Sequence, residues 1–108
     1  MADAGRAYTS GSWVVREGNE QAFVDQWTAV ADWCLQFSPG ARSFRLIRDR
    51  RDPRHFISFG EWDDFDSVSV ARSRPQFLRL FRDCQSMCDE FSGSDYTVAL
   101  AVPEVPER

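Results

Sequence analysis

Side chains that could exchange protons near neutral pH are rare in this sequence. His55 is the only histidine, and imidazole is the side chain whose ordinary pKa lies closest to neutrality. His55 could therefore serve as a general base. It stands at the start of a predicted strand, and the alternation of side chains along that strand places it on the face opposite Trp62. A structural histidine at a strand surface is the competing interpretation.

Arg82 and Ser58 are the other polar candidates for catalysis. Arg82 could bind an enolate or phenolate anion, although its neighbours Arg79 and Asp83 are also typical of a solvated helix surface. Ser58 could donate a hydrogen bond to a substrate oxygen, or it could bond to nearby backbone. The chain contains no lysine, which excludes catalysis through a lysine Schiff base.

The cysteines indicate structural roles and a reducing compartment. Cys34, Cys84 and Cys88 make an odd number with no CxxC spacing, which argues against a disulfide framework and favours the cytoplasm. Cys84 and Cys88 lie one helical turn apart, but no histidine is near them. We therefore expect buried thiols, neither a zinc site nor a catalytic pair, and no metal ion.

Length and charge limit the possible partners. A chain of 108 residues makes one domain. Its net charge of −4 and its estimated pI of 4.9 argue against nucleic acid and anionic membrane surfaces as partners. No segment is apolar enough to span a membrane, and residues 1–12 lack the apolar core of a signal peptide.

Hydrophobic spacing predicts the elements that position these side chains. Residues 8–16 are predicted to form a strand, and a helix that Pro39-Gly40 ends is expected to follow. One face of this helix has apolar residues at intervals of four and three: Phe23, Trp27, Val30, Cys34 and Phe37. Residues 42–49 and 54–62 read as two strands of a hairpin.

The second half of the chain predicts a broken helix and a last strand. A helix begins after Asp63-Asp64, is interrupted at Pro75, and continues in pattern to Phe91, with Ser92-Gly93-Ser94 as its end. Alternation then predicts a strand through these residues: Tyr96, Val98, Leu100 and Val102.

The resulting order is β-α-β-β-α-β, an α+β ferredoxin-like arrangement with two helices on one face of an antiparallel sheet. Residues 8–102 are expected to form this domain, with residues 1–7 and 103–108 as flexible termini. Both faces of the strand over residues 54–62 carry large apolar side chains. Because the helices cover only one face, we expect a second copy of the chain to cover the other, which makes a homodimer.

Four segments resemble the antibiotic biosynthesis monooxygenase family of dimeric α/β barrels. They are REGNEQAFVDQW (residues 16–27), SPGARSFRLIRD (38–49), DPRHFISFGEWDD (52–64) and SRPQFLRLF (73–81). The resemblance implies one of two activities. The first is oxygenation of electron-rich aromatic compounds by O₂ without a metal, flavin or nicotinamide, and the second is oxidative degradation of haem.

The resemblance also implies particular site residues. Trp62 matches the tryptophan that lines the pocket of the aromatic oxygenases, although a core tryptophan at a strand end is the competing interpretation. Ser58 and Val68 stand where those oxygenases have an asparagine and a tyrosine. Arg82 falls near their helix arginine. Haem degradation is disfavoured, because residues 77–82 offer no axial ligand where the haem-degrading members have a histidine.

We therefore expect a cofactor-independent monooxygenase whose partners are O₂ and an aromatic polyketide or quinol-like molecule. Trp62, Ser58, Arg82 and His55 are the catalytic candidates. The candidates for the pocket wall are Phe56, Trp27, Phe23 and Phe81, which could instead simply form the core. A dimer that binds a small molecule without catalysis is the alternative, since the asparagine and tyrosine of the family are missing.

Overall fold

The computed structural model describes residues 6–103. Within these residues, four strands and three helices follow one another in the order β-α-β-β-α-α-β. They are β1 (Ala7–Val15), α1 (Glu20–Phe37), β2 (Ala41–Arg48), β3 (His55–Trp62), α2 (Phe65–Arg72), α3 (Pro75–Gln85) and β4 (Cys88–Thr97). The strands form one antiparallel sheet in the order β2-β3-β1-β4. The predicted α+β ferredoxin-like fold is confirmed.

The helix α1 buries the stripe that its sequence predicts. Phe23, Trp27, Val30 and Cys34 are all buried against the sheet, as the spacing of four and three residues requires. Phe37, in the last turn, continues the spacing but is 48% exposed and packs on Trp33.

The broken second helix is confirmed as two helices, α2 and α3. Asp64 caps α2 by accepting a hydrogen bond from the backbone N–H of Ser67 at 2.8 Å. Pro75 stands in the first turn of α3, where its missing N–H would have no helical partner in any case.

The prediction for the C-terminal third is wrong in its boundaries. The helix α3 ends at Gln85, and β4 occupies Cys88–Thr97, where the sequence pattern predicted helix up to Phe91. Ser92-Gly93-Ser94 does not end a helix but pairs with Ser12-Gly11-Ser10 of β1. Leu100 and Val102, predicted to lie in the last strand, follow β4 and are 80% and 82% exposed. Pairing with β1 overrides the local pattern.

The ends of the described segment bear on the predicted termini. The strand β1 begins at Ala7, and both Arg6 and Ala7 are buried. Residues 1–5 and 104–108, most of the expected flexible termini, lie outside the described residues. None of the described helices is long and apolar enough to cross a membrane.

The two faces of the sheet differ in what covers them. Phe56, Ser58, Gly60 and Trp62 of β3 face the helices and are buried, as the alternation along the strand predicted. No helix within residues 6–103 covers the opposite face. Its exposed apolar side chains include Ile47, Phe59 and Tyr96.

Candidate active site

A cavity of about 600 Å³ lies between the helix-facing side of the sheet and the three helices. Its walls are mainly aromatic, and the rings come from five different elements. They are Trp27, Phe44, Trp62, Phe77, Phe81 and Phe91. Val30, Val68 and Ala71 add aliphatic surface. A cavity of this size with flat apolar walls suits a small aromatic molecule.

Small residues on three neighbouring strands form the floor of this cavity. The register places Ser58, Gly11 and Gly93 side by side across β3, β1 and β4. One step along the strands, Gly60 and Asp95 flank Thr9 in the same way. Because these side chains are short or absent, the floor leaves room that larger residues would fill.

Two tryptophans reach across glycines to the hydroxyl groups of this floor. The indole N–H of Trp13 donates to Ser58 Oγ at 3.0 Å, and that of Trp62 donates to Thr9 Oγ1 at 3.2 Å. Each hydroxyl oxygen that accepts one hydrogen bond still carries its own hydrogen. Both Ser58 and Thr9 line the cavity, so each can donate a hydrogen bond to an oxygen atom of a ligand.

Three ionisable side chains line the cavity, namely Cys34, Arg72 and Asp95. Burial raises the pKa of the Cys34 thiol to about 12, so it is neutral at physiological pH. Arg72 and Asp95 form a bidentate ion pair, with Nη1 to Oδ2 at 2.9 Å and Nη2 to Oδ1 at 2.7 Å. The hydrogen bonds from Arg72, and then its charge, hold the pKa of the Asp95 carboxyl below its usual value.

Four of the eight site residues expected from the sequence line this cavity: Trp62, Ser58, Trp27 and Phe81. Ser58 does not bond to backbone, as one interpretation had it, but accepts from the indole of Trp13. The structure does not bring the other four expected residues to the cavity wall.

His55 and Arg82 lie away from the cavity for different reasons. His55 is on the face of β3 that has no helix, where its Nε2 is 3.0 Å from Ser12 Oγ and its Nδ1 is 3.1 Å from Asp49 Oδ2. This agrees with the structural interpretation of the histidine. Arg82 is exposed on α3, on the side that faces solvent rather than the sheet.

Phe23 and Phe56 are core residues rather than pocket residues. Phe23 is fully buried between Trp13 and Phe56, with ring centroids at 5.1 and 5.3 Å. Phe56 borders a separate surface depression, and the guanidinium of Arg48 lies over its ring at 5.0 Å. The sequence pattern placed both on the correct face of their elements but could not tell how far along the sheet the cavity extends.

The polar residues of the cavity that sequence reasoning missed include Thr9, Arg72 and Asp95. Asp95 sits beside Thr9 only because β4 pairs with β1 in this register, and the predicted strand began one residue later, at Tyr96. Arg72 lies at the end of α2, and its sequence context does not distinguish it from a solvated helix arginine. The sequence feature that could have indicated the pairing of β1 with β4 is the pair of glycines Gly11 and Gly93, which lie opposite each other.

Within residues 6–103, no group of three or more His, Cys, Asp or Glu side chains is arranged to hold a metal ion.

Solved structures with this fold have little sequence in common with the chain. SnoaB, a cofactor-independent oxygenase from Streptomyces nogalater, superposes with a TM-score of 0.83 at 20% identity, over 94% of this chain and 100% of that one. A mutant of SnoaB gives a TM-score of 0.86 at the same identity and coverage. A conserved protein from Methanosarcina mazei Go1 gives 0.80 at 15% identity, over 89% of this chain and 95% of that one.

These superpositions agree on the fold. No curated protein sequence matches the chain significantly. The model of the antibiotic biosynthesis monooxygenase family matches residues 10–83, which span β1 to most of α3 and supply much of the cavity wall. The chain therefore belongs to the antibiotic biosynthesis monooxygenase family.

Proposed function

We propose that this protein is a cofactor-independent monooxygenase that oxidises a flat aromatic polyketide or quinol-like molecule with O₂. The observation that carries the proposal is the ring-walled cavity of about 600 Å³ with the two hydroxyl groups of Ser58 and Thr9 on its floor. Family membership supports it, and so does the fold shared with SnoaB, a cofactor-independent oxygenase.

The proposed reaction uses the substrate as its own reductant. A substrate of the anthrone type loses a proton from its activated CH₂ group, and the resulting carbanion transfers an electron to O₂. The carbon radical and superoxide combine to form a C–O bond, and the peroxide anion takes up a proton to become a hydroperoxide. The hydroperoxide then loses water to leave a carbonyl group. One O₂ is thus consumed, with one oxygen atom retained in the product and the other released as water.

The protein contributes surroundings and orientation to this reaction. Aromatic walls exclude water from a substrate anion that water would protonate. The hydroxyl oxygens of Ser58 and Thr9 accept hydrogen bonds from the indoles of Trp13 and Trp62, which position both hydroxyl groups and leave their hydrogens available. They can hydrogen-bond to the oxygen on which the anion's charge is delocalised, and a donor fixed in advance stabilises such charge without reorganisation.

The proposed assembly is a homodimer through the sheet face that carries no helix. Support comes from the exposure of Ile47, Phe59 and Tyr96, which are 53%, 37% and 55% exposed on that face. We expect Ile47→Glu to convert a dimer into a monomer in light-scattering measurements. The cytoplasm is the proposed location, supported by three free cysteines.

A dimer that binds an aromatic molecule without oxidising it is the second candidate. Val68 lines the cavity at a position where the resemblance to aromatic oxygenases implies a tyrosine. A valine side chain can neither donate nor accept a proton. Binding of a tricyclic phenol with no O₂ consumption would favour this candidate.

The deciding experiment is O₂ uptake by purified, metal-stripped protein in the presence of a panel of anthrones and hydroquinones. We expect uptake above the spontaneous rate, and we expect Trp62→Ala to abolish that excess. Phe37→Ala is the control, since Phe37 lies in the last turn of α1, is 48% exposed and does not line the cavity. Uptake no faster than the spontaneous rate for every compound would contradict the monooxygenase proposal.

A further inference from the structure

The ion pair of Arg72 and Asp95 joins two walls of the cavity. Arg72 is the last residue of α2, and Asp95 lies on β4 directly beside Thr9 of β1. Both side chains line the cavity and are partly exposed, at 47% and 38%. The pair therefore sits where the cavity meets solvent, within reach of a substrate whose ring system is packed between the aromatic walls.

Asp95 is the one side chain on the cavity wall, within the described chain, that is suited to accept a proton. The other ionisable lining groups are Cys34 on α1, which is a neutral thiol, and Arg72 on α2, which is a permanent cation. The lining residues from α3 and β3 are not titratable, nor are those from β1 and β2. Among the described residues, Asp95 and Arg72 are thus the two charged side chains that line the cavity.

We infer that Asp95 accepts the proton of the substrate and that Arg72 binds the anion left behind. This inference rests on the proposed function and names the acid–base groups that it requires. The substrate C–H bond breaks, its proton forms an O–H bond on the Asp95 carboxylate, and its electron pair stays on the substrate as an enolate. The Arg72 guanidinium then pairs with the substrate enolate in place of the Asp95 carboxylate, which has become neutral.

This exchange avoids creating a new charge in an apolar cavity. Before the step the charges are the Asp95 carboxylate and the Arg72 guanidinium, and after it they are the substrate anion and the same guanidinium. Two of the five N–H donors of Arg72 hold Asp95. A guanidinium presents its donors in one plane, so it can contact a flat oxyanion beside the carboxylate. The substrate class is therefore an aromatic ketone with an acidic C–H bond, whose enolate places charge on an oxygen at the cavity mouth.

The first test measures the ionisation of a bound hydroxyanthraquinone, whose absorption spectrum changes when its phenol loses a proton. We expect the pKa of this probe to fall by about one pH unit or more on binding, as for an acid beside a fixed opposite charge. Arg72→Gln should remove this shift and Arg72→Lys should retain part of it. Failure of the probe to bind, or an unchanged shift in Arg72→Gln, would overturn the inference.

The second test separates proton transfer from anion binding through Asp95→Asn. Without its carboxylate partner, Arg72 should lower the pKa of the bound probe further. O₂ uptake at neutral pH should nevertheless fall about 10²-fold, the contribution typical of a general base. The remaining rate should rise with pH, as hydroxide replaces the lost base. A purely structural role would weaken both properties together, and unimpaired turnover in Asp95→Asn would overturn the assignment of the base.

The matched control is Arg79→Gln, on the exposed side of α3, where Arg79 Nη1 donates to Gln76 Oε1. It should leave the pKa of the bound probe and the rate of O₂ uptake unchanged. If wild-type protein oxidises no compound in the panel, the proposed function fails, while an Arg72-dependent pKa of the bound probe still supports the anion site. The two failures are therefore distinguishable.

Discussion

Trp13 and Trp62 form the same type of hydrogen bond in two different parts of the sheet. Each indole leans over a glycine of the sheet and donates a hydrogen bond to a hydroxyl on a neighbouring strand. Trp13 is fully buried, and its ring lies against Phe23, Phe81 and Phe91 at centroid distances of 5.1, 5.2 and 4.2 Å. Trp62 meets the edge of Phe44 at 5.6 Å and otherwise borders the cavity.

The difference shows that the position of a large residue on the sheet decides its role more than its type does. Around Trp13, aromatic side chains from α1, α3 and β4 close the space, and the indole becomes part of the core. Around Trp62, the neighbouring floor is made of Thr9, Gly60 and Asp95, which leave the space open. The sheet around Trp13 is therefore packed as core, and we call it the closed half, whereas the sheet around Trp62 is left open for binding. Ser58, Phe81 and Phe91 line the cavity at the boundary between the two.

The strongest test of the comparison is to truncate Trp13 in the closed half. We expect Trp13→Ala to lower the free energy of unfolding by about 3–5 kcal/mol, as for other fully buried aromatic residues. It also removes the donor that Ser58 accepts from. Urea unfolding followed by circular dichroism measures this loss. A loss no larger than that of Trp62→Ala would contradict the division into two halves.

Adding a methyl group to the two glycines sharpens the comparison. A Cβ on Gly11 would lie 2.9 Å from both Ser58 Oγ and Trp13 Nε1, and one on Gly60 would lie 2.7 Å from Thr9 Oγ1. We expect Gly11→Ala to cost about 1–3 kcal/mol, because the packed Trp13 cannot move aside. Gly60→Ala should cost less despite its shorter contacts, since the Thr9 hydroxyl can rotate and Phe44, at 2.8 Å from that Cβ, borders the cavity and can move into it. It should nevertheless weaken binding of the hydroxyanthraquinone. Equal costs in urea unfolding would contradict this.

Removing only the indole N–H gives a smaller effect. Trp62→Phe keeps an aromatic ring at the wall and loses the hydrogen bond to Thr9, so we expect the free energy of unfolding to fall by about 1 kcal/mol. Binding of the probe should persist, in contrast to Trp62→Ala. Isothermal titration of the probe distinguishes the two variants, and a complete loss of binding in Trp62→Phe would show that the N–H itself holds the ligand.

The smallest expected effect is the dependence of α2 on acid. The hydrogen bonds from Ser67 lower the pKa of Asp64 below the 3.8 of a free aspartate. A lowered pKa in the folded state means that the carboxylate stabilises α2 fully above about pH 5, and that this stabilisation is lost as pH falls through 3.8 and below. Asp64→Asn should keep the cap and lose this pH dependence, whereas Asp64→Ala loses both.

Hydrogen exchange along α2 measures that effect, with the amides around Trp13 as an internal reference. Protection of the α2 amides should fall in Asp64→Ala, while protection in the closed half stays the same. Equal loss in both halves would mean that the cap supports the whole fold rather than the cavity wall.

The sequence allowed correct predictions wherever the periodicity was local. The stripe of Phe23, Trp27, Val30 and Cys34 predicted α1, and alternation along residues 54–62 separated Trp62 and Ser58 from His55. The interruption at Pro75 was also readable, because proline restricts the backbone by itself. These features depend on neighbours in the chain.

The features that could not be predicted depend on pairing across the sheet. Ser92-Gly93-Ser94 has the composition of a turn, yet it is the middle of β4 because Gly93 lies opposite Gly11. With β4 misplaced, Asp95 could not be seen beside Thr9, and Arg72 had no visible partner. Asp95 and its partner Arg72 were therefore missed because one strand, β4, was predicted in the wrong place.

The pairing of β1 with β4 has a consequence for how the chain is made. The strand β1 lies in the middle of the sheet, but its partner β4 is the last element of the described chain. Until β4 has been synthesised, one side of β1 presents unpaired backbone groups, which is the kind of edge that promotes aggregation. The strand β4 also supplies Phe91, Gly93 and Asp95 to the cavity wall. The nascent chain is therefore most prone to aggregate before its cavity is complete, when no bound ligand can stabilise it.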